Sequence, residues 1–186
     1  VPASAGSKML EGFKPLFSAE AVTRLEEKGY EIAGKAHVGE LSLDLVGEFS
    51  NYNTQSGTLK GALAECIKSG EVKFGLGVDM NGATRRAAAL SGVDFLKPTY
   101  GTVSRYGVIS CAASGEQVGV YAPDAEGVKE IISVIAGHDD KDGTSLPAKE
   151  YEYSTDIAVA GKKVCIVKDL LEKADEKQKK LLKRRY

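Results

Sequence analysis

The sequence predicts an α/β fold, with helices covering a mixed, twisted sheet. Three observations carry this. Helical and strand periodicities alternate along the chain. The apolar segments are short and punctuated by glycine, 21 of 186 residues. There are five Pro and no Trp, which argues against an immunoglobulin-like sandwich with its buried Trp.

The elements follow in order. Ser18 to Gly29 reads as a helix with Ser18 at its N-cap, Glu20 at its positive end and Gly29 as its stop. Tyr30 to Gly34 reads as a short strand. Thr58 to Ser69 reads as a helix with Leu59, Leu63, Cys66 and Ile67 on one face, ended by Gly70. Phe74 to Val78 is a strand whose glycines suggest close backbone packing. An Ala-rich helix over Gly82–Leu90 and a strand over Val93–Lys97, stopped by Pro98, come next. Tyr106 to Cys111 is apolar. Asp124 caps an amphipathic helix with Val128, Ile131, Ile132 and Ile135 at i, i+3, i+4 and i+7, ended by Gly137. Lys163 to Val167 is a β-branched strand, and a basic helix runs from Leu170 to the C-terminus (170–186). Two long loops are expected: the polar Ser50–Gly57, and Asp139–Asp156 as a surface excursion. A length of 186 residues suits one domain, 1–186.

Composition excludes several classes. With 25 Lys and Arg against 26 Asp and Glu, the net charge is −1, which leaves no footprint for a whole-surface nucleic-acid binder. The basic C-terminal helix is read as a solvated face whose basic end suits the helix dipole, so no direct nucleic-acid contact is expected. No apolar run approaches the roughly 20 residues that span a bilayer. Val1-Pro2-Ala3-Ser4 opens into polar sequence, so no signal peptide and a cytoplasmic location are expected. An organellar matrix is the alternative if this N-terminus follows a removed targeting peptide. Three Cys make neither a disulfide framework nor a zinc site; Cys66, Cys111 and Cys165 read as buried small hydrophobes.

The chemistry-bearing residues are sparse. His37 and His138 lack a nucleophile motif such as G-x-S-x-G and read as structural. Asp139-Asp140-Lys141-Asp142-Gly143 fails calcium-loop spacing and reads as a solvated acidic turn. There is neither G-x-G-x-x-G nor a P-loop. No metal and no cofactor are expected.

One resemblance spans nearly the whole chain. Gly77-Val78-Asp79-Met80-Asn81-Gly82-Ala83-Thr84-Arg85-Arg86 is similar to G-S-D-T-G-G-S-I-R-Q. Leu96-Lys97-Pro98-Thr99-Tyr100-Gly101-Thr102-Val103-Ser104-Arg105-Tyr106-Gly107 is similar to L-K-P-T-Y-G-R-V-S-R-Y-G. Ala5-Gly6-Ser7-Lys8, Gly34-Lys35-Ala36-His37 and Ala136-Gly137-His138-Asp139 add weaker matches. The chain thus resembles the amidase signature family. Within it, it is most like the A subunit of glutamyl-tRNA(Gln)/aspartyl-tRNA(Asn) amidotransferase, in truncated form. The resemblance implies a partial version of that family's mixed sheet. It also implies a Lys–Ser–Ser amidase chemistry, with backbone N–H groups of the T-G-G turn stabilising the oxyanion.

The catalytic positions depart from that pattern. Ala83 stands at the nucleophile, and Leu59 stands where the bridging Ser belongs. The basic Lys would precede Val1, and Lys35 does not match it. Met80, Asn81 and Gly82 remain of the oxyanion turn. Asp79 and Arg85 match positions that support the turn, and read as structural because the oxygen they would serve is missing. No intact catalytic residue is therefore expected. The implied role is an inactive amidase-like protein acting as a binding or structural subunit, with a protein partner or a homodimer. The alternative is a working amidotransferase component completed by another chain.

Overall fold

The computed structural model describes residues 2–43, 61–148, 153, 158, 160–163, 165 and 167–185. Contacts divide the chain into two compact units, 1–155 and 156–186.

The first unit is built around three strands, β1 (Gly75–Asp79), β2 (Asp94–Leu96) and β3 (Gln117–Ala122). Their order is β1-β3-β2, and both pairings are antiparallel, with Val78 opposite Val118 and Phe95 opposite Tyr121. The α/β class is as the sequence predicts. The sheet differs: among the described residues it is antiparallel rather than mixed, because β3 lies between two strands that run the same way.

β3 is a strand that the sequence pattern does not announce, although every one of its residues is buried. Its alternation sorts the core into two layers. Val118 and Val120 face one side, where Leu76 and Val78 of β1 join them. There they pack with Ala21 and Leu25 of α1 (Glu20–Glu27) and with Ile131, Ile132 and Ile135 of α4 (Ala125–Ile135). Burying each such isoleucine is worth about 1.5–3 kcal/mol. Tyr121 faces the other side. There it packs with Ala64 and Ile67 of α2 (Ala62–Ser69), Ala88 of α3 (Ala83–Ser91), Val93 and the Phe95 ring. Gly77 matters on this second face, because a Cβ there would come within 2.9 Å of the Tyr121 ring and 3.0 Å of the Thr84 methyl.

Caps and stops are mostly where the sequence places them. The Asp124 carboxylate accepts from Gly127 N–H at 2.9 Å, and Gly70 ends α2 in the left-handed region. α1 is an exception. Its N-cap is Ala19, not Ser18, because the Tyr106 carbonyl accepts the Glu20 N–H at 3.0 Å and takes the place of a hydroxyl cap.

Other expectations need correction. Tyr30–Gly34 is not a strand: no strand pairs with it among the described residues. Tyr30 instead closes α1 through its N–H to the Leu25 carbonyl and reaches α4 through its phenol, 2.6 Å from the Glu130 carboxylate. Cys111 and Cys165 are exposed and Cys66 is partly exposed, so none is a fully buried small hydrophobe. The backbone around Cys111 is tied down by the Glu116 carboxylate, which leaves the thiol at the surface. The described part of Asp139–Asp156 folds back onto the 101–105 segment: the Leu146 N–H donates to the Gly101 carbonyl at 2.9 Å.

In the second unit the expected single basic helix is two, α5 (Lys168–Lys173) and α6 (Glu176–Arg185). Ala174 leaves helical geometry, and Asp175 caps α6 by accepting the Gln178 N–H at 2.8 Å. Of the strand expected at Lys163–Val167, residues 164 and 166 lie outside the described residues, and 163, 165 and 167 are in no strand. The Ser50–Gly57 loop and the start of the Thr58–Ser69 helix, Leu59 included, also lie outside them. Among the described residues no helix is long and apolar enough to cross a membrane.

Candidate functional site

The turn between β1 and α3 carries residue 83, the position to which the resemblance assigns the nucleophile. The strand delivers Asp79 to its end, fully buried. Gly82 takes φ +102°, a conformation that favours glycine, and α3 begins at Ala83. The Ala83 methyl is thus carried at the first residue of a helix, half-buried, on a turn fixed from several sides.

Asp79 organises that turn. Its Oδ1 accepts from the Gly82 N–H (3.2 Å) and from Arg85 Nη2 (2.9 Å) and Nε (3.2 Å), while Oδ2 accepts the Arg85 backbone N–H (3.0 Å). Burial alone would raise its pKa. The Arg85 hydrogen bonds outweigh this, so the carboxyl sits below its ordinary range. The carboxylate in turn raises the pKa of the Arg85 guanidinium. The sequence alone casts Asp79 and Arg85 as supports for an oxygen that is missing. Asp79 instead holds the backbone amides of Gly82 and Arg85, and the Arg85 guanidinium holds Asp79.

Lys97 is a site residue that the sequence does not single out. Its Nζ lies 3.3 Å from Asp79 Oδ1 and donates to the carbonyls of Met80 (3.1 Å) and Gly115 (2.8 Å), joining the turn to the loop before β3. By pattern it is only a strand end before Pro98, although it sits inside the most specific motif of the chain. Thr84 adds a 2.6 Å bond from its hydroxyl to the Val78 carbonyl, and the Tyr121 phenol donates to the Thr84 carbonyl at 3.0 Å. Burial, then the Asp79 charge, raise the Tyr121 pKa. Of the oxyanion-turn residues, Asn81 is exposed, accepts the Ala83 N–H at 3.3 Å and donates to the Leu43 carbonyl at 3.1 Å. Met80 offers its carbonyl to Lys97. Gly82 offers its N–H to Asp79.

A second buried network holds the loops around β3. Arg105 donates to Glu116 (3.1 Å), the Ala113 carbonyl (2.7 Å) and the Thr144 hydroxyl (2.9 Å), and stacks over Tyr100. Glu116 also accepts from the Ser110 hydroxyl (2.5 Å) and from the N–H groups of Cys111 (2.9 Å) and Ala112 (3.1 Å). Burial would raise the Glu116 pKa, but these donors bring it below normal. The acidic turn at 139–143 is solvated at Asp140, Lys141 and Gly143 as expected, but its Asp139 and Asp142 turn inward to this network. Asp139 is buried and accepts from the Ser104 hydroxyl at 2.5 Å, and Asp142 accepts the Arg105 N–H at 2.8 Å. His138 bonds the Leu146 carbonyl (2.8 Å) and Asp140 (3.0 Å), which raise its pKa in that order, and His37 is exposed. The described residues therefore supply a supported turn and no side-chain nucleophile at its head.

Comparison with known proteins shows what the chain is similar to. The amidase family model matches residues 1–185. The glutamyl-tRNA(Gln) amidotransferase A subunit of Methanosarcina acetivorans is 39% identical over 91% of this chain, and that of Streptococcus equi subsp. zooepidemicus 36% over 90%. The crystal structure of the Thermotoga maritima A subunit superposes with a TM-score of 0.72 at 29% identity, over 80% of this chain and 35% of its own. The peptide amidase of Stenotrophomonas maltophilia gives 0.67 at 26%, over 79% and 33%. The chain spans 38% of the length of the Methanosarcina relative and 37% of the Streptococcus one. With the family model matched over residues 1–185, the chain belongs to the amidase family.

Proposed function

We propose that this chain is an amidase-family protein without covalent amidase chemistry, which serves as a binding or structural subunit of a larger assembly. The observation that carries this is Ala83. At the head of a turn held by Asp79, Arg85 and Lys97, a methyl group cannot attack a carbonyl or carry an acyl group. The resemblance adds Leu59 at the proton-relay position, where no proton is available. The curated relatives are A subunits of an amidotransferase, which supports a protein partner.

The test is turnover. The purified chain, incubated with glutamine, asparagine and simple amides, should release no ammonia above a denatured control. It should also take no label from a fluorophosphonate probe. Labelling mapped to residues 79–86 would defeat the reading. So would a monodisperse monomer by light scattering, as far as the assembly role is concerned.

A second reading rests on the intact support of the turn and on the names of the relatives. In it the chain is part of an amidotransferase A subunit whose chemistry another polypeptide completes. Its discriminator is a native pull-down. Recovery of a chain that restores glutamine-dependent ammonia release would favour it over the first reading.

A further inference from the structure

The net charge of −1 conceals a strong polarity between the two units. Residues 156–186 hold ten Lys and Arg against five Asp and Glu, a balance of +5, which leaves −6 for residues 1–155. Lys162, Lys163, Lys168, Lys173, Lys177 and Lys180 are all exposed. Within α6, Glu176 is the only acid among ten residues, and it pairs with Lys179 at 3.0 Å. Lys183, Arg184 and Arg185 complete the helix.

The helix dipole accounts for only part of this. Its effect is confined to the last turn, so it favours Lys173 in α5 and residues 183–185 in α6, and leaves Lys162, Lys163, Lys177, Lys179 and Lys180 unexplained. Nor does α6 show the pattern of a merely solvated helix, which mixes signs at i, i+4 as α5 does with Lys168 and Glu172 and with Asp169 and Lys173. Lys177 with Lys180, Lys179 with Lys183 and Lys180 with Arg184 repeat one sign at i, i+3 or i, i+4, a self-repulsive arrangement that a polyanion relieves.

We propose that the C-terminal unit binds the phosphate backbone of a nucleic acid, without regard to base sequence. An acidic protein surface fits less well, because a protein interface needs an apolar centre and α6 has two apolar residues in ten. An anionic membrane attracts such cations too, by about 1 kcal/mol each near its surface, but firm binding there adds a broad apolar face, which α6 does not have. A phosphate backbone needs only regularly spaced cations.

The test uses the full chain and fluorescence anisotropy. The probes are a labelled 20-nucleotide oligouridylate, a 20-base-pair DNA duplex, poly-glutamate of matched charge, and anionic lipid vesicles. Oligouridylate, the duplex or both should bind at 50 mM salt, and the relative affinities tell RNA from DNA as the source of the phosphates. For a single strand, log K against log salt should fall with a slope of about −0.7 per phosphate contacted. K173Q/K177Q/K180Q removes three exposed cations and should weaken binding at least tenfold, and the slope should become shallower by about 2. K173R/K177R/K180R should bind as the wild type does, which separates lost charge from lost folding. Three results would overturn the proposal: no nucleic-acid binding at 50 mM salt, equal binding to poly-glutamate or vesicles, or a glutamine variant indistinguishable from wild type. The outcome is independent of the amidase reading, because no residue of the 79–97 region takes part.

Discussion

Asp79 and Glu116 are both carboxylates sealed from solvent, and both gather backbone N–H groups and an arginine. They differ in reach. Apart from Lys97, the partners of Asp79 lie within six residues of it, and its arginine is 51% exposed. Glu116 shares Arg105, whose side chain is 11% exposed and which continues to Thr144 and Asp142 far along the chain. The first network fixes the shape of one turn. The second holds three loops together around β3. This explains how the turn keeps its shape with a methyl group at residue 83. Asp79 serves backbone amides, and those persist whatever side chain residue 83 carries.

The contrast sets the sizes of the expected effects. Glu116→Ala should be the most damaging. It strands a buried guanidinium together with the N–H groups of Cys111 and Ala112. Breaking a buried pair in this way costs about 3–5 kcal/mol. For a chain of this size that lowers the melting temperature by on the order of 10 °C. Asp79→Ala should cost less, about 2–3 kcal/mol, because the half-exposed Arg85 regains water when its partner goes. Urea denaturation of both variants measures the pair of effects. If Asp79→Ala proves the costlier, Lys97 and the turn amides contribute more than Arg85's exposure suggests, and the local network is also a tertiary one.

Acid should sharpen the same comparison with a smaller effect per group, because protonation leaves the packing in place. Asp79, Glu116, Asp139 and Asp142 all have folded-state pKa values below their ordinary ones. Near pH 4, where unfolded Asp and Glu titrate, the unfolded chain therefore binds more protons than the folded one. Stability should be fully present above that range, and it should be lost as pH falls through the lowered values. Melting temperature followed from pH 6 to pH 3 should drop steeply below about pH 4. Three of the four groups belong to the loop network, so Asp79→Asn should flatten this acid limb less than Glu116→Gln combined with Asp139→Asn. An equal flattening would show that the two networks titrate as one.

How legible these networks are in the sequence follows from how local they are. The turn is readable because a strand, a glycine and an Ala-rich helix follow one another within twenty residues. The α4 cap and face are readable for the same reason: a capping Asp and a 3.6-residue period lie side by side. β3 is not, because Gly119 interrupts its apolar run, and its burial is decided by α1, α2, α3 and α4, which the local pattern does not show. Asp139 and Asp142 mislead similarly. A run of acids with a glycine looks solvated until Ser104 and Arg105, some 35 residues away, are brought to it. Tyr30–Gly34 misleads in the opposite sense, since a strand pattern needs a neighbour as well as a period. Lys97 stands inside a recognised motif, but its task is to join the Met80 and Gly115 carbonyls, contacts 17 and 18 residues apart.

The smallest expected effect is the most informative about chemistry. Ala83→Ser returns an oxygen to the head of the turn. The site is half-buried, and the turn is fixed by Asp79, Gly82 and Arg85 rather than by residue 83. A Ser hydroxyl there should therefore change stability by less than about 0.5 kcal/mol. Activity should also stay at the wild-type level, with no ammonia from glutamine and no fluorophosphonate adduct. A hydroxyl without a base keeps its proton at neutral pH, and the resemblance places Leu59 at the relay position. If the single substitution nonetheless let the probe label the new hydroxyl, the chain would contain a base that the residues of the turn do not supply. The reading of this region as scaffold without chemistry would then give way to that of an enzyme lacking one atom.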